Sequence, residues 1–299
     1  MYLRNFLLSL LMVGSTVSTF AVSSDLETEL RSMLEKKDAT IGIALIVNDN
    51  DTLTINNDER YPLMSVMKFH QAIAVSRFLE GNKLPLSATV AVKPSQLNPD
   101  TYSPLRERYP NGNVEVSYAD LMKYTLQMSD NNACDILFSY TLPPEKVQAY
   151  LESVGFTDFA IAVTEDDMYK NRRSAYANWS TPLSAVCILN RFFTSQWLPK
   201  EYQSFIAQVM FDAQTGANRL PGGLPADGVR IAHKTGTGYV TPEGRIMAVN
   251  DIGFVLLPDG RHYSIAVFIA NAAGTEEENV AIIAEISALV YRYVLSLKP

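Results

Sequence analysis

The chain has 299 residues, 47% of them hydrophobic and 19% charged, a globular composition that excludes disorder, collagen and long coiled coils. Its 25 Lys and Arg against 32 Asp and Glu give a formal net charge of -7, so phosphate backbones are repelled and nucleic acid is not an expected partner. Three histidines (His70, His233, His262) without paired spacing and two isolated cysteines make no zinc ligand set, and neither a metal nor a cofactor is expected. In chain order, residues 1–21 combine Arg4, an apolar run from Phe6 to Val13 and small residues ending at Ala21, the pattern of a secretory signal peptide. That run is shorter than the roughly 20 residues needed to cross a bilayer. No Cys follows it to carry an acyl anchor and no second long apolar stretch is read, so a soluble exported chain beginning near Val22 is expected, free of the membrane once the leader is removed.

Ser24 and Glu27 read as a capping box for a helix over residues 25–37, with Leu26, Leu30, Met33 and Leu34 at helical spacing. Thr40 to Val47 and Thr52 to Ile55 are β-rich runs around the turn Asn48-Asp49-Asn50-Asp51, which predicts a hairpin. From about residue 65 to 211 the pattern is helical, broken by loops at Lys93 to Gly112, Leu142 to Pro144 and Ala160 to Trp179. Cys134 and Cys187 fall inside these helical patterns and read as unpaired thiols. Strand-like runs return at Val229 to Lys234, Ile246 to Leu257 and Tyr263 to Asn271, the last two joined by Pro258-Asp259-Gly260. Thr275, followed by Glu276, Glu277 and Glu278, opens a terminal helix with Val280, Ile283, Ile286, Val290 and Val294 on one face.

These elements predict a two-lobed α/β (α+β) fold. One lobe is an antiparallel sheet built from both chain ends, residues 22–60 and 212–299, flanked by the first and last helices. The other, residues 61–211, is all-helical with an omega-type loop at 160–178, and a cleft is expected where the two meet. No G-x-G-x-x-G follows a strand and no G-K-[ST] occurs, which removes the common nucleotide-binding readings.

Three short motifs carry chemistry. Ser65-Val66-Met67-Lys68 falls at the start of a predicted helix carrying Phe69, Ile73 and Phe78 and closed by Gly81, and i,i+3 spacing puts the Lys68 amine beside the Ser65 hydroxyl. The positive end of the helix dipole favours negative charge developing on that oxygen. Ser129-Asp130-Asn131 lies between two helical patterns and Lys234-Thr235-Gly236 ends a strand-like run. Seen alone, the first of these reads equally as a helix cap and the second as an ordinary strand end. Together a hydroxyl, an amide and an ammonium group can relay a proton and hold an anionic, amide-bearing substrate.

In this order the three motifs resemble the serine β-lactamase and penicillin-binding protein superfamily, and their spacing is similar to that of class A β-lactamases. The resemblance implies a Ser65 nucleophile, Lys68 as its partner, Ser129 as proton relay and Asn131 as a substrate ligand. It implies Glu165 as the base that activates water. Glu165 lies 34 positions after Asn131 and 13 before Asn178, with Asp166 and Asp167 as rivals. Lys234, Thr235, Gly236, Thr237 and Arg219 (beside Thr215-Gly216) would bind the substrate carboxylate, and the N–H groups of Ser65 and Thr237 would form the oxyanion hole. Tyr102, in Tyr102-Ser103-Pro104, would wall the cleft mouth, whereas His233 reads as structural.

Three positions depart from the common class A pattern. Tyr169 replaces the asparagine that helps hold the hydrolytic water, and Asp135 and Asn178 exchange the usual Asn and Asp at the loop's neck. This exchange resembles a divergent branch with extended-spectrum enzymes and cephalosporinases, and implies that Asp135 and Asn178 pair with each other to close the loop. The expectation is a periplasmic monomer that hydrolyses small-molecule β-lactams through an acyl-serine, favouring cephalosporins. A D,D-peptidase or a non-catalytic β-lactam sensor would share the motifs but has no need of Glu165.

Overall fold

A computed structural model describes residues 24–297, so the expected leader, residues 1–21, lies outside the described residues. Helix α1, Ser24–Leu34, precedes the hairpin of β1, Thr40–Val47, and β2, Asp51–Ile55. Near the other end come β8, Arg230–Thr237, β9, Ile246–Leu256, β10, His262–Ala272, and helix α10, Glu276–Ser296. Between them lie β3, Tyr61–Pro62, α2, Met67–Gly81, β4, Thr89–Val92, α3, Pro104–Arg108, β5, Val114–Ser117, α4, Tyr118–Gln127, and α5, Asn131–Tyr140. These are followed by α6, Pro144–Ser153, β6, Phe159–Ala160, α7, Glu165–Lys170, β7, Trp179–Ser180, α8, Pro182–Thr194, and α9, Lys200–Phe211.

The main sheet is antiparallel in the order β2-β1-β10-β9-β8, with β1 joined to β10 in register from Thr40 opposite Ala270 to Val47 opposite Tyr263. Strand β1 is apolar on both faces because both are covered. Ile41, Ile43, Leu45 and Val47 share a core with Leu26 and Leu30 of α1 and with Val280, Ile283, Ile286, Val290 and Val294 of α10. Ala44 and Ile46 face the other way, into a larger core with Phe69 and Ile73 of α2 and Ile188 and Phe192 of α8. Helix α2 is buried nearly all round, including the polar Lys68, His70, Gln71 and Ser76, as a helix at the centre of a lobe must be.

The structure corrects several boundaries. Ser24 is already helical rather than a cap, α1 stops at Leu34 instead of residue 37, and Gly81 ends α2 from inside, with Asn82 as the cap. The triplet Lys234-Thr235-Gly236 lies within β8, which continues to Thr237. The lobe expected to be all-helical, residues 61–211, also contains the β4–β5 hairpin and a small sheet in the order β3-β7-β6. Two of the stretches read as loops hold helices, α3 in the first and α7 in the last. Helix α10 has the length and mean hydropathy, 1.3, of a membrane span, against the expectation of no second long apolar stretch; its apolar face packs on the sheet. Cys134 and Cys187 are both free.

Candidate active site

Ser65 sits on a 3-10 turn, Met64–Val66, that leads directly into α2. Met64 enters this turn with φ at 49°, a left-handed conformation costing a non-glycine residue about 1–3 kcal/mol, so the surrounding contacts have to impose it. Two contacts from the sheet do so. Asn250 Nδ2 on β9 donates to Pro62 O at 2.7 Å, and Gly236 on β8 lies so close that a Cβ there would stand 2.5 Å from Leu63 O. The glycine of the Lys-Thr-Gly triplet is thus required by the approach of the segment that carries Ser65.

Lys68, the second residue of α2 and one turn after Ser65, is fully buried and points back at Ser65, its Nζ donating to Ser65 Oγ at 3.1 Å. The same ammonium donates to Ser129 O at 2.8 Å and Asn131 Oδ1 at 2.6 Å and lies 3.0 Å from Glu165 Oε1. Glu165 is 6% exposed, and its Oε1 accepts from Ser65 Oγ at 3.5 Å. A buried ammonium and a buried carboxylate therefore flank one hydroxyl, each compensating the other's charge. Ser129, at φ 61°, turns its carbonyl to Lys68, while its Oγ accepts from Lys234 Nζ at 3.0 Å. Ser65, Lys68, Ser129, Asn131, Glu165 and Lys234 are thus one connected cluster.

The two readings of Ser129-Asp130-Asn131 hold together. Asp130 is the N-cap of α5, accepting from Ala133 N at 2.8 Å, and also accepts from Leu105 N at 2.6 Å. Its burial pushes the carboxyl above the usual range, and these donors pull it back. The cap leaves Ser129 and Asn131 facing the cleft. Asn131 is steadied by Nδ2 donating to Thr101 Oγ1 at 2.7 Å.

Glu165 is brought to the site by α7, whose first turn is held from several sides. Thr164 and Asp167 form a capping box, while Asp135 on α5 accepts from Glu165 N at 2.9 Å and from Asp166 N at 2.8 Å. Asn178 Oδ1 accepts from Ala162 N at 2.7 Å and Val163 N at 3.0 Å, and its Nδ2 donates to Val163 O. The expected pairing of Asp135 with Asn178 is corrected: no hydrogen bond joins them, because each spends its polar atoms on loop backbone. The rival carboxylates are occupied elsewhere, Asp166 with Lys170 and Asn98, and Asp167 in the capping box. Tyr169, more than a third exposed, meets Asp100 rather than Ser65.

Lys234 reaches the site from β8 and Arg219 from the segment between α9 and β8. Arg219 Nη1 donates to Asn250 O at 2.7 Å and Gly236 O at 3.0 Å, and Nη2 to Thr237 Oγ1 at 2.6 Å, with Glu276 at 3.2 Å. Thr235 Oγ1 meets Thr215 Oγ1 at 3.0 Å. Tyr102 is 55% exposed at the rim, joined to the cluster only through its carbonyl, which accepts from Asn131 N. Beyond Thr237 a cavity of about 670 Å³ opens between Arg172 and Tyr176 of the loop and Tyr239 and Met247 of the sheet side. Thr101, Asn250 and Asp251 support the site and were not read from the sequence. For the last two a signal existed, since two adjacent polar residues interrupt an otherwise apolar strand.

The chain is similar to known proteins over nearly its whole length. The model of the beta-lactamase enzyme family matches residues 25–294. A beta-lactamase of Bacteroides uniformis is 40% identical over 286 residues, 95% of this chain and 96% of the relative. Beta-lactamase VEB-1 of Pseudomonas aeruginosa is 36% identical over 296 residues, 98% of each. The crystal structure of a class A beta-lactamase from Bacteroides cellulosilyticus superposes with a TM-score of 0.89 at 40% identity, covering 93% of this chain and 99% of that one. With a serine between a buried lysine and a buried glutamate in that fold, the chain belongs to the class A serine β-lactamases and hydrolyses β-lactams.

Proposed function

We propose that Ser65 Oγ attacks the β-lactam carbonyl, forming the acyl ester, while Lys68 and Glu165 share its activation. Lys68 Nζ stands 3.1 Å and Glu165 Oε1 3.5 Å from Ser65 Oγ, so both are within reach of the proton that leaves it. The developing oxyanion is held by the backbone N–H groups of Ser65 and Thr237. The lactam C–N bond breaks as Ser129, polarised by Lys234, passes a proton to the departing nitrogen. Ser129 recovers a proton from the Lys68–Glu165 pair that took it from Ser65, and the freed Glu165 carboxylate then takes a proton from the attacking water and returns it to Ser65 as the ester C–O bond breaks and the acid leaves. Lys234, Thr235, Gly236, Thr237 and Arg219 bind the substrate carboxylate, Asn131 its amide, and Tyr102 walls the mouth.

The observation that carries this reading is the placement of Glu165 Oε1 3.0 Å from Lys68 Nζ and 3.5 Å from Ser65 Oγ. A D,D-peptidase or a sensor needs no carboxylate there. The cavity beside Tyr239 leaves room for bulky acylamino groups, and an extended-spectrum enzyme, PER-1 of Pseudomonas aeruginosa, is 35% identical over 289 residues; both support a preference for cephalosporins. Export to the periplasm as a monomer free of the membrane completes the proposal, supported by the leader-like first 21 residues and by the secreted habit of class A enzymes. The test is intact-mass analysis during turnover of a chromogenic cephalosporin. Glu165→Gln should accumulate acyl-enzyme, with turnover lower by about 10²–10⁴-fold, while Asp166→Asn and Asp167→Asn turn over without accumulating it. The reverse pattern would remove Glu165 as the base.

A further inference from the structure

Asp251 is fully buried on β9, opposite Thr235 in the β8–β9 register, and has no part in the reaction above. His233 Nδ1 donates to its carboxylate, with both oxygens at 3.1 Å, and the Leu220 N–H donates to Oδ2 at 3.1 Å. His233 immediately precedes Lys234, and Leu220 immediately follows Arg219. A single side chain thus ties together the two segments whose cations receive the substrate carboxylate. Both cations are nearly out of solvent, Lys234 at 1% and Arg219 at 5% exposure, and charges so placed persist only with compensation.

We propose that Asp251 is a positioning residue for substrate-carboxylate binding: its charge keeps Lys234 an ammonium beside Arg219, and its hydrogen bonds set where both cations stand. The charged groups facing Lys234 are Lys68 from α2, Glu165 from α7, Arg219 from the segment after α9, and Asp251 from β9. Burial, and then the Lys68 charge, push Lys234 well below the ordinary lysine range, and Asp251 opposes them. Arg219 is also lowered by burial, with Asp251 the largest opposing influence. Glu276, the other carboxylate on Arg219, is half exposed, so solvent screens it more strongly.

The proposal rests on Lys234 and Arg219 receiving the substrate carboxylate, and its test is the pH profile of cephalosporin hydrolysis by Asp251→Asn, which keeps the shape and loses the charge. The alkaline limb of kcat/KM should move down by about one pH unit, a loss of about tenfold on that limb carried by KM, with the neutral-pH value little changed. In a Lys234→Arg background, where the guanidinium stays charged, adding Asp251→Asn should leave the limb where it is. A folded Asp251→Asn with an unmoved limb, or a shift that persists in the Lys234→Arg background, would overturn the proposal. If Asp251→Asn does not fold, Asp251→Ser, which also removes the charge, is read in the same way. Equal KM values for a cephalosporin and its carboxylate ester would instead overturn the underlying reading of Lys234 and Arg219.

Discussion

Ser65 and Lys68 are held by a helix buried on nearly every side, whereas Glu165 rides on a six-residue helix that side-chain hydrogen bonds pin to its surroundings. The first arrangement is redundant: many apolar contacts share the task of placing the nucleophile, and the loss of any one is absorbed. The second is sparse, because Asp135 and Asn178 between them satisfy four backbone N–H groups of the loop. Perturbation should therefore impair release of the acyl group before it impairs its formation. With Glu165 as the proposed base for deacylation, weakening the loop should convert a turnover enzyme into one that traps its drug.

The largest effect that sharpens this contrast is at the nucleophile. Ser65→Ala should abolish covalent labelling by a β-lactam and lower hydrolysis on the order of 10⁴-fold or more, with little change in Tm. Labelling that survives the substitution would remove Ser65 from its role. Next comes the loop's neck. Asn178→Ala leaves the Ala162 and Val163 N–H groups without their acceptor, at a cost of about 1–3 kcal/mol. A lower Tm together with a stoichiometric burst and slow release is the expected result, and an undiminished steady state would break the comparison.

The smallest effect is a pH dependence at Asp135. Burial, and then the Glu165 charge, push its carboxyl from 3.8 up to about 7. The folded chain therefore holds a proton between about pH 4 and 7 that the unfolded chain has lost. Stabilisation from this proton is complete below pH 4 and disappears as the pH rises through 7. Asp135→Asn removes the titration, so the Tm of wild type relative to the variant should fall by a few degrees from pH 4 to 8. A constant difference across that range would show that Asp135 does not titrate there.

Much of the fold was readable because its signals are long. Strand β1 is an unbroken apolar run, and α10 carries both a capping box and a regular apolar face. The β4–β5 hairpin was hidden because four-residue strands with one buried face give too few positions to establish a period, and they adjoin helical segments. At the site, motif order brought Ser65, Lys68, Ser129 and Lys234 into view. It could not say which atoms meet. Asp135 and Asn178 were assigned to each other by residue type, but unpaired backbone N–H groups nearby are donors that a carboxylate or amide oxygen satisfies first. Asp251 was overlooked for a related reason: its partners lie on other segments, and only the folded sheet brings Leu220 and His233 to it.

The β1–β10 pairing has a consequence for the order of events in synthesis. The strand that precedes Ser65 finds its central neighbour only after residue 262 has been made, and Lys234 reaches Ser129 only when β8 joins the sheet. Closure over such sequence distances is slow and comes late. A nascent chain that already contains Ser65, Lys68 and Glu165 still lacks Lys234, Thr237 and the Asn250 contact that holds the segment before Ser65, so the centre is completed only when the two ends of the polypeptide meet.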